Sequence, residues 1–244
     1  MISGITCSLI VLTSSYLSLK LFRAYKKSRN SQTLGISLLI FFMGSPWIGS
    51  TVNFFLLMFN LDFLSEMLYL LLTSFWVFGS VTAIYVTSSI LIPEREKIIV
   101  SIFALFSLIQ AFAIYVLVPI NVIEVQTVFK INYSGKNLPE GTYLGFFLTL
   151  ITLTLLTIII CGIFFIIKGI ITEVKLIRAR SIPLGIGMLF YSVFTVIDGA
   201  ININSEFLIF YVRLMIFVAF GVIYMGITLP KFVFSRWGIE SPDF

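Results

Sequence analysis

The chain has 244 residues, of which 59% are hydrophobic and only 11% charged, and its mean hydropathy is +1.09. About a quarter of the residues in a soluble domain are charged, so this composition excludes a soluble enzyme. It predicts an integral membrane protein whose apolar surface faces the lipid bilayer. The formal net charge is +5, but basic residues in so apolar a chain are expected to mark membrane orientation, and nucleic acid is not an expected partner.

The sequence contains no histidine and only two cysteines. Without histidine there is no Ser-His nucleophile, no His-ligated haem and no His-Glu zinc site. We therefore expect a protein that is not an enzyme and that has no metal site. Cys7 and Cys161 fall in opposite halves of the topology described next, so no disulfide is expected between them.

Seven apolar runs are long enough to cross a hydrocarbon core of roughly 30 Å, which takes about 20 helical residues. The predicted helices span approximately 2–22, 34–59, 63–92, 98–119, 142–171, 182–203 and 207–229. Backbone groups in lipid must be hydrogen-bonded within their own segment, so each run is predicted to be α-helical. The fold class is an all-α, seven-transmembrane-helix bundle that forms a single domain over residues 1–244.

The basic residues predict the orientation of this bundle, because they concentrate on the cytoplasmic side of membrane proteins. The first basic cluster follows the first apolar run, which is unlike a cleavable signal peptide. With the amino terminus outside, thirteen of the sixteen basic residues fall inside, while the acids lean outward. The inner set is Lys20, Arg23, Lys26, Lys27, Arg29, Arg95, Lys97, Lys168, Lys175, Arg178, Arg180, Lys231 and Arg236. We expect a multi-pass cell-membrane protein with its amino terminus outside and its carboxyl terminus in the cytoplasm.

The longest connection, 120–141, lies outside in this topology. Apolar and polar residues alternate from Ile123 to Tyr133, a period that predicts a half-buried strand, and Ser134-Gly-Lys-Asn137 predicts a turn. A strand or hairpin here is either a lid over the outer mouth of the bundle or a plain connector. Asn132-Tyr-Ser134 also matches the N-glycosylation pattern on the side where glycosylation occurs.

Three ionisable residues fall within the outer third of the bilayer, where burial is costly and often marks function. Arg213, Asp198 and Glu66 lie at similar depths on the seventh, sixth and third predicted helices. The sequence predicts an ion pair between Arg213 and either Asp198 or Glu66.

Polar residues continue from these charges along single helical faces. Tyr69 and Trp76 follow Glu66 on the third helix, Tyr191 precedes Asp198 on the sixth, and Pro46 should kink the second helix ahead of Asn53. These faces predict a pocket that opens outward and binds a ligand. The alternative is a polar network that only fastens the helices together. The candidate ligand-binding residues are Asn53, Glu66, Tyr69, Trp76, Tyr191, Asp198 and Arg213.

A retinal Schiff base would need a lysine in the middle of the seventh helix. There is none between Glu206 and Pro230, and Lys20 and Lys168 lie at the inner ends of helices one and five. No cofactor is therefore expected.

A basic segment, Lys175-Leu-Ile-Arg-Ala-Arg180, leads into a helix that opens Pro183-Leu-Gly-Ile-Gly187. The last helix carries Arg213 and ends Tyr224-Met-Gly-Ile-Thr-Leu-Pro-Lys231. This region resembles the seven-helix membrane sensor modules at the amino end of some prokaryotic histidine kinases. The chain runs to Phe244 without a kinase domain, so the resemblance implies a sensor that signals through a separate cytoplasmic partner at the basic inner loops 22–33 and 172–181.

An internal repeat supports an alternative. Leu34-Gly-Ile-Ser-Leu-Leu-Ile-Phe41 matches Leu184-Gly-Ile-Gly-Met-Leu-Phe-Tyr191, each after a basic loop. Two three-helix repeats joined by helix four are similar to the small sugar transporters of the SWEET and PQ-loop type, in which substrate binds between the halves. A receptor-like or sensor-like protein is the leading hypothesis, a small-solute transporter is the second, and an accessory subunit of another membrane protein is the third.

Overall fold

The computed structural model describes residues 2–132, 140–200 and 206–228. Within those residues, seven helices are long and apolar enough to cross a membrane. They are α1 (Ile2–Ser28), α2 (Ser31–Met58), α3 (Glu66–Leu91), α4 (Pro93–Leu117), α5 (Gly145–Ile171), α6 (Lys175–Ala200) and α7 (Glu206–Thr228). The predicted class, an all-α protein with seven candidate membrane spans, is confirmed.

The largest differences from the predicted bounds occur where the helices carry basic residues. Helix α1 continues to Ser28 and α6 begins at Lys175, so the connections expected over 22–33 and 172–181 are mostly helical. Long basic side chains extend their charges into water while the backbone remains helical. Helix bounds predicted from apolar runs alone therefore leave out the basic turns at the end of α1 and the start of α6. We call the end of the bundle that carries these basic residues the basic end. Lys231 and Arg236, which belong to the predicted basic set, lie outside the described residues.

Two of the long helices are interrupted. In α2 a 3₁₀ turn occupies Ser45–Trp47 and contains Pro46, so the α-helical hydrogen bonding changes at the position of the predicted kink, since proline has no N–H to donate to the preceding turn. In α3 a 3₁₀ segment covers Ser74–Phe78, where no proline marks it. Both interruptions lie in the half of the bundle that also holds the strands, which we call the hairpin end.

Six of the seven helices form a closed ring, and the remaining helix, α4, lies outside it. Around the ring, α1 packs on α2, α2 on α3, α3 on α5, α5 on α6, α6 on α7 and α7 on α1. Helix α4 packs chiefly against α3. Helices α2 and α6 meet across the ring, where the buried Tyr191 hydroxyl donates a hydrogen bond to the Met43 carbonyl at 2.7 Å.

Helices α5 and α6 touch backbone to backbone through two glycines. A Cβ atom built on Gly162 would lie 3.0 Å from the Gly185 carbonyl oxygen, and one built on Gly185 would lie 2.5 Å from the Gly162 carbonyl oxygen. Near the other end of α6, a Cβ on Gly199 would meet nothing within 4 Å. The two helices are therefore in closest contact in the middle and toward the basic end.

Gly185→Ala is expected to lower the free energy of unfolding by about 1–3 kcal/mol, because the added methyl group overpacks a rigid backbone contact. The matched change Gly199→Ala is expected to leave stability unchanged or to raise it by up to about 1 kcal/mol, since alanine favours helix. Thermal unfolding of both variants in the same detergent compares them. Equal midpoints would contradict the close approach of α5 and α6.

A two-stranded antiparallel sheet lies between α4 and α5. Strand β1 is Phe129–Asn132, β2 is Glu140–Tyr143, and Phe129 pairs with Tyr143. The alternating pattern predicted a strand from Ile123, but Val125–Val128 forms a helical turn. The Thr127 hydroxyl donates to the Glu124 carbonyl at 2.7 Å and closes that turn. The predicted turn 134–137 lies outside the described residues.

Candidate functional site

A cavity of about 450 Å³ lies at the hairpin end of the ring. Its walls come from α2, α3, α5, α6 and α7 and from strand β2 with the residue that follows it. The lining residues are Pro46, Trp47, Ser50, Tyr69, Gly141, Thr142, Tyr143, Leu144, Leu148, Ile151, Thr152, Leu155, Thr195, Val196, Asp198, Gly199 and Arg213. A volume of this size suits a drug-sized molecule.

A buried ion pair forms one wall of the cavity. Arg213 Nε donates to Asp198 Oδ1 at 3.0 Å and to Oδ2 at 3.2 Å, and the two side chains are only 4% and 9% exposed. The indole N–H of Trp47 also donates to Asp198 Oδ2, at 3.0 Å. Of the two predicted partners for Arg213, the structure therefore selects Asp198. The carboxylate is compensated by a cation and a second donor, as a buried charge requires.

Arg213 also ties α7 to the start of α1. Its Nη1 atom donates to the Ser3 hydroxyl at 2.6 Å, to the Ser3 carbonyl at 3.2 Å and to Cys7 Sγ at 3.1 Å. The network thus joins α1, α7, α6 and, through Trp47, α2. Displacing any one of these four helices at this depth would disturb a hydrogen bond to a charged group.

Tyr69 is a second junction on the cavity wall. Its hydroxyl lies 2.5 Å from Ser50 Oγ on α2 and accepts a hydrogen bond from the Gly141 N–H at 3.1 Å. Because Tyr69 belongs to α3, one side chain holds α2, α3 and β2 together. The cavity wall and the sheet are therefore parts of one hydrogen-bonded structure.

Tyr143 secures the end of β2 in the same way. Its hydroxyl donates to Thr73 Oγ1 at 3.0 Å and accepts from the indole N–H of Trp76 at 3.0 Å. Burial raises the pKa of the Tyr143 phenol above its ordinary value, so the group stays protonated and keeps its donor role. The rings of Tyr69 and Tyr143 pack on Phe129 with centroid separations of 5.4 and 5.3 Å.

Of the seven candidate residues, the structure brings Tyr69, Asp198 and Arg213 together on the cavity wall. The other four take part in hydrogen bonds elsewhere, and none of them lines this cavity. Glu66 Oε1 accepts from the Ile131 N–H at 3.3 Å, and Asn53 Oδ1 accepts from the Leu64 N–H at 2.9 Å. Trp76 holds Tyr143, and Tyr191 bonds to α2, as described above.

Three polar lining residues, Trp47, Ser50 and Thr142, are not among the residues that the sequence pattern predicts for the site. Trp47 and Ser50 follow Pro46, and a broken helix turns neighbouring side chains in new directions, so the proline was the available signal. Thr142 lies on β2, and the alternating pattern of apolar and polar residues that predicted a strand ended at Tyr133, before β2 begins.

The wall of the cavity that α5 supplies is mainly apolar. Leu148, Ile151 and Leu155 lie on one face of α5, at helical spacings of three and four, with Thr152 beside them, and Pro46 and Val196 add further apolar lining. The two charges neutralise each other, so the site as a whole suits an uncharged or zwitterionic molecule with an apolar body. Among the described residues, no three His, Cys, Asp or Glu side chains gather into a group that could hold a metal ion.

Seven long apolar helices with a cavity at one end of the ring give the chain the architecture of a multi-pass helical membrane protein. No model of a known protein family matches the chain, and neither does a curated protein or a solved structure.

Proposed function

We propose that this protein is a receptor-like or sensor-like membrane protein that binds a small molecule in the hairpin-end cavity. The observation that carries the proposal is the cavity itself, whose lining combines a buried ion pair, several hydroxyl groups and a mainly apolar wall from α5. Ionisable groups at membrane depth are retained at a cost and commonly serve function. A network that only fastened helices would need no cavity beside it.

In the proposed topology the hairpin end faces outward and the basic end faces the cytoplasm. Exposed basic side chains gather at the basic end, including Arg23, Lys27 and Lys175, as expected for the cytoplasmic side. A ligand near Asp198 would disturb bonds to α1, α2 and α7 at once. The resulting shift of α6 and α7 would be detected by a separate protein partner at the basic end.

The proposal is tested by a thermal-shift screen of the full chain in detergent against water-soluble small molecules. Thr152→Trp places a large side chain on the cavity wall, and Thr149→Trp places the same group on an exposed face of the same helix outside the lining. The two threonines are matched, since each donates to a carbonyl four residues earlier on α5. We expect a compound that stabilises the wild type to stabilise T149W equally and to lose at least tenfold in affinity for T152W.

Two outcomes would contradict the cavity as the binding site. One is a stabilising compound that binds T152W and T149W with equal affinity. The other is a wild-type midpoint that no compound shifts, either in this screen or in a second screen of amphiphiles.

A small-solute transporter is the second candidate, and the order of helices in the ring favours it. Helices α1–α3 and α5–α7 each form a group of three consecutive helices in the ring, and α4 stands outside, as a helix that links two parallel repeats would. Proteoliposomes decide between the two functions. Accumulation of a cavity ligand that is lost in Asp198→Asn would establish transport, whereas binding without accumulation supports the receptor.

A further inference from the structure

The cavity reaches the outer surface of the bundle between α5 and α6. On α6, Val196 lines the cavity and is 43% exposed. It continues an exposed stripe formed by Ile186, Phe190 and Val193, none of which lines the cavity. Since this stripe forms part of the lipid-facing surface of a membrane-spanning helix, Val196 borders an opening toward the bilayer.

The facing helix shows the same pattern. Leu148 on α5 lines the cavity and is 50% exposed, while Leu156, two turns further along the same face, is 48% exposed and lies outside the lining. Thr152, between them, is exposed and lines the cavity. Leu148 on α5 and Val196 on α6 therefore each border the cavity where it meets the outer surface, and we call the space between them the gap.

The packing of α5 and α6 explains why the gap lies where it does. The helices touch at Gly162 and Gly185, whereas Gly199, which lines the cavity, has open space beside it. Two straight helices that cross at a tight glycine contact diverge away from it. The divergence falls within the hairpin half of the bundle, at the depth of Asp198 and Arg213.

We infer that the ligand of this cavity is a single-chain lipid with an uncharged, hydroxyl-bearing head, which enters from the bilayer between α5 and α6. This inference rests on the proposed function and names the class of ligand for the same site. The acyl chain lies along Leu148, Ile151 and Leu155 on the apolar wall. The head group lies against Asp198, Trp47 and Ser50, where its hydroxyls have both acceptors and donors. A charged head would disturb the balance of the ion pair, so an uncharged one fits the site better.

The test uses the full chain in phosphatidylcholine nanodiscs with a monoacylglycerol that carries a photoreactive diazirine in its acyl chain. After illumination, mass spectrometry locates the labelled residues. We expect labelling of Leu148, Ile151 and Leu155 that an excess of ordinary monoacylglycerol competes away. Val196→Trp blocks the gap and should reduce this labelling at least tenfold. Val193→Trp adds the same side chain one turn away on the lipid-facing stripe and should change it by less than twofold.

The inference is wrong if label spreads evenly over lipid-facing residues such as Leu156, or if V196W and V193W behave alike. Its failure is distinguishable from that of the proposed function. If the labelling fails in this way while a water-soluble compound still binds the wild type and T149W but not T152W, the cavity stands as a binding site and only the lipid ligand with its entry from the bilayer is overturned. The absence of both kinds of binding would overturn both proposals.

Discussion

Arg213→Ala is expected to lower the free energy of unfolding by about 3–5 kcal/mol, the usual cost of leaving one partner of a buried ion pair uncompensated. Asp198 would keep its bond from Trp47 but lose the cation beside it, in a site where its side chain is 9% exposed. The bonds from Arg213 to Ser3 and Cys7 on α1 would disappear as well. Thermal and denaturant-induced unfolding in one detergent, compared with the wild type, measure the loss.

The control for this prediction is Arg180→Ala, which removes an exposed arginine at the basic end and should change stability by less than about 0.5 kcal/mol. The double variant Asp198→Asn with Arg213→Gln removes both charges. It should be more stable than R213A, because no buried charge is left unpaired. If R213A and R180A unfold alike, the ion pair does not hold the four helices together.

Asp198 and Glu66 were both predicted as partners for Arg213, and their depth in the membrane does not distinguish between them. Helical rise places both carboxylates near the level of Arg213, and depth alone does not say which helices are adjacent. Asp198 and Arg213 are on consecutive helices that pack closely, as short connections favour. Glu66 begins α3, across the ring from α7, and bonds to the backbone of β1. Hydropathy was therefore enough to predict that Arg213 forms a buried ion pair. Identifying Asp198 as its partner required knowing which helices pack against each other.

The parts of the site that could not be predicted from the sequence are contacts between residues that are far apart along the chain. The seven helices follow from apolar length, and the break in α2 follows from Pro46. The 3₁₀ segment at Ser74–Phe78 carries no such marker. Within it, Trp76 bonds to Tyr143, 67 residues away in sequence. Ser3 and Cys7 likewise join the site only because α1 and α7 close the ring.

The sheet between α4 and α5 is hydrogen-bonded to α3, which favours a fixed wall over the alternative of a lid. Glu66 and Tyr69 each hold one backbone N–H of a strand, and Tyr143 is bonded to two residues of α3. A lid that opened would have to break all of these bonds together and expose the aromatic cluster beneath them. The lateral gap between α5 and α6 needs no such opening.

Phe129→Ala is expected to cost about 3–5 kcal/mol of stability, the range for removing a buried phenylalanine from a packed core. The Phe129 side chain is 0% exposed between the rings of Tyr69 and Tyr143, so the sheet would loosen from α3. Hydrogen exchange measures this directly. The amides of Ile131 and Gly141, which bond to α3 side chains, should exchange at least tenfold faster than in the wild type. Phe146→Ala removes a ring that is 57% exposed and should leave both amides unchanged. If the amides of F129A exchange at the wild-type rate, the hydrogen bonds to α3 hold the sheet without the aromatic cluster.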